Sequence, residues 1–495
     1  MMQAFVTVFS PSVLIPWILA MALGIFIGAM PGLTATMGVA LIVPLTFHMQ
    51  PIAGLAMILG LSFTAIFAGD IPATFLRVPG TPASGAAVLD GFEMNKKGKG
   101  SLAIMLDLFC STLGGLIGVV LLITISPTLA SFALQFTHFE YFWLGLLGLS
   151  MSAVITKGSN TKGLISVVFG LFLSTIGIDI STGYPRFTFG SINLISGINF
   201  IPVMIGLFGL SEVIRDIGEQ SQDQLSSAAI IETGHTSPKD VLKVMGRNKR
   251  VIAQSSLIGT LIGALPGAGA DIAAWVSYGF AKKTSKHPEI FGTGSEEGVI
   301  APTTANNAAL GGTWIPALVF GIPGDTITAI VLGAMLMYGL KPGPLVFTNN
   351  KDLINQIFAV ALASQVFVLI LGFLGIKAFA FLFKFPRNVV LAGITVFSLI
   401  GAFAIRANIF DVLLVVIFGI LGYFMEKVEM PLSPLILGLV LGPMIEDNLR
   451  IGLIKTNNSF IPFLTRPISA VFALILVITF LYEPVRKLFM LKHGH

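Results

Sequence analysis

Pro-Gly pairs interrupt apolar stretches at Pro31-Gly32, Pro79-Gly80, Pro266-Gly267 and Pro323-Gly324, and each of these is followed closely by polar side chains. Thr34 and Thr36 follow the first pair, Thr81 and Ser84 the second, Asp271 the third, and Asp325, Thr326 and Thr328 the fourth. Upstream of the fourth runs "APTTANNAALGG", with Thr303, Thr304, Asn306 and Asn307. Proline withdraws a backbone donor and glycine tolerates dihedrals that other residues resist, so each pair stops a helix. A stopped helix offers free N–H groups and a positive end to an anion, and unwound carbonyls and helix C-termini to a small cation. Hydroxyls and amides beside the break add donors or acceptors at a lower burial cost than full charges. The pattern predicts substrate contacts at Pro31, Gly32, Thr34, Thr36, Pro79, Gly80, Thr81, Pro266, Gly267, Gly269, Asn306, Asn307, Pro323 and Gly324. It predicts cation contacts at Asp271, Asp325, Thr303 and Thr326.

The elements that carry these residues are membrane helices. Of 495 residues, 55% are hydrophobic and only 11% charged, where a soluble domain carries about 25% charged residues. Apolar runs long enough to cross about 30 Å of hydrocarbon recur along the chain, such as Leu102 to Ile125 and Leu353 to Phe383, and predict an all-α polytopic protein of roughly ten to fourteen membrane segments. The first residues lack a basic n-region and a small-residue cleavage site, and so read as a retained first span. The single cysteine, Cys110, excludes an internal disulfide and a Cys-rich metal site. The net charge of +5 sits largely in loops, without the aromatic-interleaved basic stripe of a nucleic-acid binder.

The breaks recur in order. "GIFIGAMPG" at Gly24 returns as "GTLIGALPG" at Gly259, an offset of 235 (259 − 24), and "IPATFLRVPG" at Ile71 returns as "IPALVFGIPG" at Ile315, an offset of 244 (315 − 71). This predicts two membrane repeats, residues 1–215 and 247–495, joined by a polar and cytoplasmic connector over 216–246, with an amphipathic helix from Pro238 onward. The basic loops "NKKGKG" at Asn95 and "AKKTSK" at Ala281 occupy non-equivalent places in the two halves. With positive loops on the cytoplasmic side, the halves run in opposite directions, an inverted-topology repeat. Paired helix interruptions in such repeats point to a transporter's central site, whereas a kink alone would explain one break and not two matched pairs.

Other residues narrow the chemistry. Asp70, Asp271 and Asp325 lie in apolar contexts, where a carboxylate marks a functional site, and Arg77 is the one basic residue near a break, able to pair with Asp70 or with a substrate carboxylate. His48, His138, His235 and His287 stand singly, so no metal other than an alkali cation is expected. Gly24/Gly28 and Gly259/Gly263 have the spacing of close helix packing. No Gly-xxxx-Gly-Lys-[Ser/Thr] motif occurs, which leaves an ion gradient or a separate subunit as the energy source. "GIPGD" at Gly321 is similar to the Gly-x-Gly-Asp of intramembrane aspartyl proteases, the alternative reading, but no Tyr-Asp partner stands in an apolar span. A channel would show a continuous polar lining.

Taken together, "GAMPGLTATMGVALIVPLTF", "VPGTPASGAAVLDGFEMNKKGKG", "GALPGAGADIAAWVSYGF" and "APTTANNAALGGTWIPALVFGIPGDTITAIVLGAMLMYGLKPGP" resemble the large membrane subunit of the tripartite tricarboxylate transporter family. The resemblance implies no enzyme but a multi-pass permease of the bacterial inner membrane that imports carboxylates such as citrate. It also implies a small membrane subunit and a periplasmic solute-binding protein as partners, no organic cofactor, sodium or protons as the coupling ion, and elevator-like movement. The family commonly carries an acidic residue just before Ala-Asn-Asn, where this chain has Thr303 and Thr304.

Overall fold

The computed structural model describes residues 2–30, 32–155, 159–179, 182–218, 236–382 and 387–479. In chain order its principal helices are α1 (Pro11–Ala29), α2 (Ala35–Thr46), α3 (Pro51–Ala68), α4 (Asp70–Leu76), α5 (Ala87–Met94), α6 (Gly100–Ala133), α7 (His138–Ile155) and α8 (Asn160–Ser174). There follow α9 (Pro238–Arg247), α10 (Lys249–Gly263), α11 (Gly269–Thr284), α12 (Glu296–Phe320), α13 (Thr326–Met337), α14 (Lys351–Leu382), α15 (Arg387–Arg406), α16 (Ile409–Lys427) and α17 (Leu432–Lys455). A 3-10 turn, Pro82–Gly85, precedes α5.

Among the described residues, seven helical stretches are long and apolar enough to cross a membrane, and Ala35–Thr46, Asn160–Ser174, Thr326–Met337 and Pro467–Thr479 are shorter apolar helices. The protein is therefore an all-α, multi-pass membrane protein, with two strand residues at Gly177–Ile178 and two at Pro185–Arg186 as its regular β-structure among the described residues. The lower number of full-length spans has a physical reason. The Pro-Gly breaks leave α2 and α13 with 12 residues each, about 18 Å at 1.5 Å per residue and too short to cross hydrocarbon alone.

The chain divides into two compact units, Met1–Ala130 with Ile201–Phe424, and Ser131–Phe200 with Met425–His495. Each sequence half thus contributes to each unit. In the second unit Arg186 meets Glu446 at 2.6 Å, and Arg450 meets both Asp179 at 2.8 Å and Glu446 at 2.7 Å. Glu140 accepts from Thr137 Oγ1 at 2.7 Å, Arg466 Nε at 2.9 Å and Ser469 Oγ at 2.8 Å.

The first unit is built on glycine-mediated contact. Helix α3 is buried all round, as suits a central apolar helix. A side chain at Gly24 would meet the Leu61 carbonyl oxygen at 2.6 Å, one at Gly28 the Ala65 carbonyl, one at Gly259 the Ala305 carbonyl and one at Gly263 the Ala309 carbonyl. The glycines are related by 235 (259 − 24 and 263 − 28) and their partners by 244 (305 − 61 and 309 − 65), the offsets of the sequence motifs. Helices α1 on α3 and α10 on α12 are therefore the same pairing at equivalent positions.

Helix α9 carries Val241, Val244 and Met245 into a core with Met105, Leu106, Cys110, Tyr278 and Ile300. The expected connector therefore ends in a packed helix, and its residues 219–235 lie outside the described ones. Asp90 of α5, fully buried, accepts from the N–H groups of Gly292 at 2.9 Å, Gly294 at 2.8 Å and Ser295 at 2.7 Å, and from Tyr278 Oη at 2.9 Å. Lys97 donates to the Thr293 carbonyl at 2.5 Å. The basic segment after α5 and the segment after α11 are thus bonded to one another.

Candidate functional site

Each break begins where a helix runs out of donors. Helix α1 stops at Ala29; Pro31 lies outside the described residues, and Gly32 takes φ 89°, a conformation favoured by glycine. Thr34 then caps α2, its hydroxyl oxygen accepting from Met37 N at 3.1 Å. Helix α4 ends at Arg77 with φ 62°, and Gly80 N donates to the Gly69 carbonyl at 3.0 Å. Gly267 takes φ 81° between α10 and α11, and Gly269, the first residue of α11, φ 59°. Gly321 closes α12 with φ 69°, and Asp325 caps α13 in a reciprocal box: its Oδ1 accepts from Thr328 N at 2.7 Å, and its own N–H donates to Thr328 Oγ1 at 3.0 Å.

Contacts link the four breaks. A side chain at Gly80 would strike the Gly28 carbonyl and Gly69 Cα, which joins the second break to the end of α1. The hydroxyls of Thr36 and Thr326 are 3.0 Å apart, which joins the first break to the fourth. Gly267 N donates to the Gly324 carbonyl at 2.8 Å, and a side chain at Gly269 would meet Asp325 Cβ at 3.0 Å, which joins the third to the fourth. Gly85, just past the second break, lies against the Trp275 indole of α11. Pro323 and Gly324 are buried, whereas Pro79 is exposed.

The polar residues fall into two groups by exposure. Gly32, Thr34, Thr36, Pro266, Gly267, Asp271, Asp325 and Thr326 are partly exposed and form an open face on which the N-termini of α2, α11 and α13 end. Thr81, Ser84, Asp70, Thr303, Thr304, Asn306 and Asn307 are buried. In that interior Asn306 Nδ2 donates to Asp70 Oδ2 at 3.1 Å, Asn307 Nδ2 to Asn306 Oδ1 at 3.0 Å, and Thr81 and Ser84 share a hydrogen bond of 2.9 Å. Thr303 and Thr304 turn their hydroxyls to carbonyls of their own helix, at 2.9 Å to Val299 and 2.6 Å to Ile300.

Arg77 is not the partner of Asp70. Its guanidinium sits 5.7 Å from the Phe92 ring centroid, a cation–π placement, while Asp70 is held by Asn306. The aspartate of "GIPGD" is engaged by Thr328 rather than by a second carboxyl, which removes the geometry an aspartyl dyad requires.

Sequence reading did not single out Asp107. It lies in α6, fully buried, its Oδ1 accepting from Ser111 Oγ at 2.9 Å, and its carboxyl comes within reach of Asp70. Ser111 also donates to the Thr303 carbonyl at 3.2 Å. The signal was present: Asp107, Ser111, Gly114 and Gly118 recur at helical spacing and form one polar, small-residue stripe. Gly114 and Gly118 press on the Thr304 and Ala308 backbone, so α6 lies close enough to α12 for Asp107 to enter the interior.

Residues 14–437 match the tripartite tricarboxylate transporter TctA family. The chain is 34% identical over 466 residues to the uncharacterized 52.8 kDa protein in the TAR-I ttuC' 3' region of Agrobacterium vitis, covering 94% of this chain and 92% of that one. It is 38% identical over 212 residues, 43% of this chain and 88% of the other, to the uncharacterized protein in the TAR-II ttuC' 3' region of the same organism. No solved structure matches the chain.

Proposed function

The chain belongs to the tripartite tricarboxylate transporter TctA family, and from this premise we propose that it is the large membrane subunit of a secondary transporter that imports organic carboxylates, di- and tricarboxylates such as citrate, across the bacterial inner membrane. It works with a small membrane subunit and a periplasmic solute-binding protein and draws on a cation gradient. The observation that carries this reading is the open face, where the first and fourth breaks meet at Thr36 and Thr326 and the N-termini of α2 and α13 end beside hydroxyls. Helix N-termini attract carboxylates through unpaired N–H groups and the helix dipole. Thr34 spends a lone pair on its cap and keeps its hydroxyl proton for a ligand. Gly32, Gly80, Gly267, Gly269 and Gly324, with their prolines, let backbone approach the substrate. Asp271, Asp325 and Thr326 supply hard oxygens for an alkali cation beside it.

The equivalent packing of α1 on α3 and α10 on α12 supports a duplicated fold, and the bond between Lys97 and Thr293 supports placing the two basic segments on one side, as opposite orientation of the repeats requires. On this reading the unit holding the breaks carries substrate in an elevator-like cycle. The test is uptake into vesicles containing this chain, the small membrane subunit and the solute-binding protein, across a panel of di-, tri- and aromatic carboxylates, with sodium or choline outside. Saturable uptake of a carboxylate, dependent on the binding protein and on a cation gradient, is expected. Uptake of none of them, or conductance without saturation, would overturn the reading.

A further inference from the structure

The interior holds a pair of acidic side chains that the substrate reading does not use. Asp70 and Asp107 are fully buried, on α4 and α6, with their carboxyls within hydrogen-bonding reach of one another. Asp70 Oδ2 is held by Asn306 and Asp107 Oδ1 by Ser111, and the Ser84 hydroxyl stands beside Asp70; the second oxygens, Asp70 Oδ1 and Asp107 Oδ2, are buried and make no hydrogen bond within 3.5 Å. Asn307, also fully buried, points its amide along the same line through Asn306 to Asp70, and its Oδ1 is a third unpartnered acceptor. The titratable groups facing the pair are the two carboxyls themselves and the Cys110 thiol beside Asp107. Asp90 of α5 is engaged elsewhere, by Tyr278 and by the segment after α11.

Two carboxylates in contact within an apolar interior repel, and neither has a cationic partner among the described residues. Each missing hydrogen bond is one a proton would supply, because a protonated carboxyl gains the donor its neighbour lacks. A sodium ion fits less well. Of the nearby hydroxyls, Ser111 already donates to Asp107, Thr303 and Thr304 are turned to helix carbonyls, and no group of three or more acidic, histidine or cysteine side chains able to hold a metal occurs among the described residues.

We propose that Asp70 and Asp107, steadied by Asn306 and Ser111, form a proton-binding site in which the pair holds one proton between them, separate from the cation residues of the open face. The proton arrives from hydronium, an O–H bond forms on one carboxylate oxygen, and the pair passes from two negative charges to one. On the other side of the membrane the same O–H bond breaks and the proton returns to water, so one proton crosses per cycle with no redox change. The coupling of this proton to import rests on the proposed transport function; the binding of the proton does not.

Infrared difference spectroscopy on the full chain in lipid vesicles, in choline chloride at neutral pH, tests the site without any substrate. The wild-type protein should show a deuterium-sensitive C=O stretch of a protonated carboxyl that is missing from Asp70→Asn/Asp107→Asn, and replacing choline by sodium at constant pH should leave the band in place. Were the double variant to misfold, dicyclohexylcarbodiimide would report on the wild type, since it modifies protonated carboxyls in apolar surroundings: an adduct on the Asp70 or Asp107 peptide is expected, and it should fade at alkaline pH. Absence of both band and adduct would overturn the proposal, and loss of the band on adding sodium would make sodium the occupant. Once a carried acid is known, an inward pH gradient should speed its uptake by the wild type and have no effect on Asp107→Asn. A band present in a protein that carries no carboxylate would fail the transport reading alone.

Discussion

The hydroxyls of Thr36 and Thr326 share a hydrogen bond of 3.0 Å across 290 positions of sequence. One belongs to the first turn of α2 and the other to the first residue of α13, so the bond ties a break of the first half to the non-equivalent break of the second. Thr36→Val and Thr326→Val each remove it without changing shape, at a net cost of about 1 kcal/mol. The double variant should be no worse than the worse single one in stability and in the KM for uptake, because the second substitution removes nothing further. Strictly additive effects would show that the two hydroxyls act separately.

Asp325 combines a structural and a proposed ionic role, and two substitutions separate them. Asparagine caps helices about as well as aspartate, whereas alanine costs roughly 0.5–2 kcal/mol. Thermal unfolding of Asp325→Asn should match the wild type, and that of Asp325→Ala should come earlier. Because Asp325→Asn lacks the charge that offsets cation desolvation, it should raise the sodium concentration giving half-maximal uptake. Unchanged sodium dependence in this folded variant would leave Asp325 as a cap only, with Asp271 tested next.

Glycine at two breaks answers two different needs. At Gly324 a methyl group would lie 2.6 Å from the Gly263 carbonyl and 2.7 Å from Thr313 Cα, so Gly324→Ala forces backbone apart. It should destabilise by about 1–3 kcal/mol, as overpacking does, and lower the yield of folded protein. At Gly32 the demand is conformational, φ 89°. Gly32→Val should abolish uptake even at normal protein levels, since the strain falls on the loop proposed to meet substrate. Normal transport by Gly32→Val would reduce the first break to a packing kink.

The inverted arrangement proposed for the repeats places the two bonded basic segments on one side of the membrane. Cys110 is buried and the sole cysteine, so its replacement leaves a clean background for single cysteines at Lys97, Lys283 and Thr348, which are all exposed. In intact cells an impermeant thiol reagent should spare positions 97 and 283 and label position 348. Labelling of 97 and 283 from opposite faces would rule out inversion.

The sequence by itself determined the membrane class, the helical architecture, the four breaks and their two offsets, because composition and Pro-Gly chemistry act locally and leave their mark in every window. It also marked Asp70, Asp325 and the Asn306-Asn307 pair, polar groups too costly in apolar surroundings to stand there without partners. Which partner each takes was decided by tertiary structure alone. In sequence the candidate partner for Asp70 was Arg77, and only the approach of α12 delivered the Asn306 amide in its place while Arg77 settled over Phe92. Asp107 lay within a run read as an ordinary span, and it became a neighbour of Asp70 because Gly114 and Gly118 let α6 press onto α12. Helical spacing fixes which residues share a face, but the choice of helix that the face meets is made by packing between segments hundreds of residues apart.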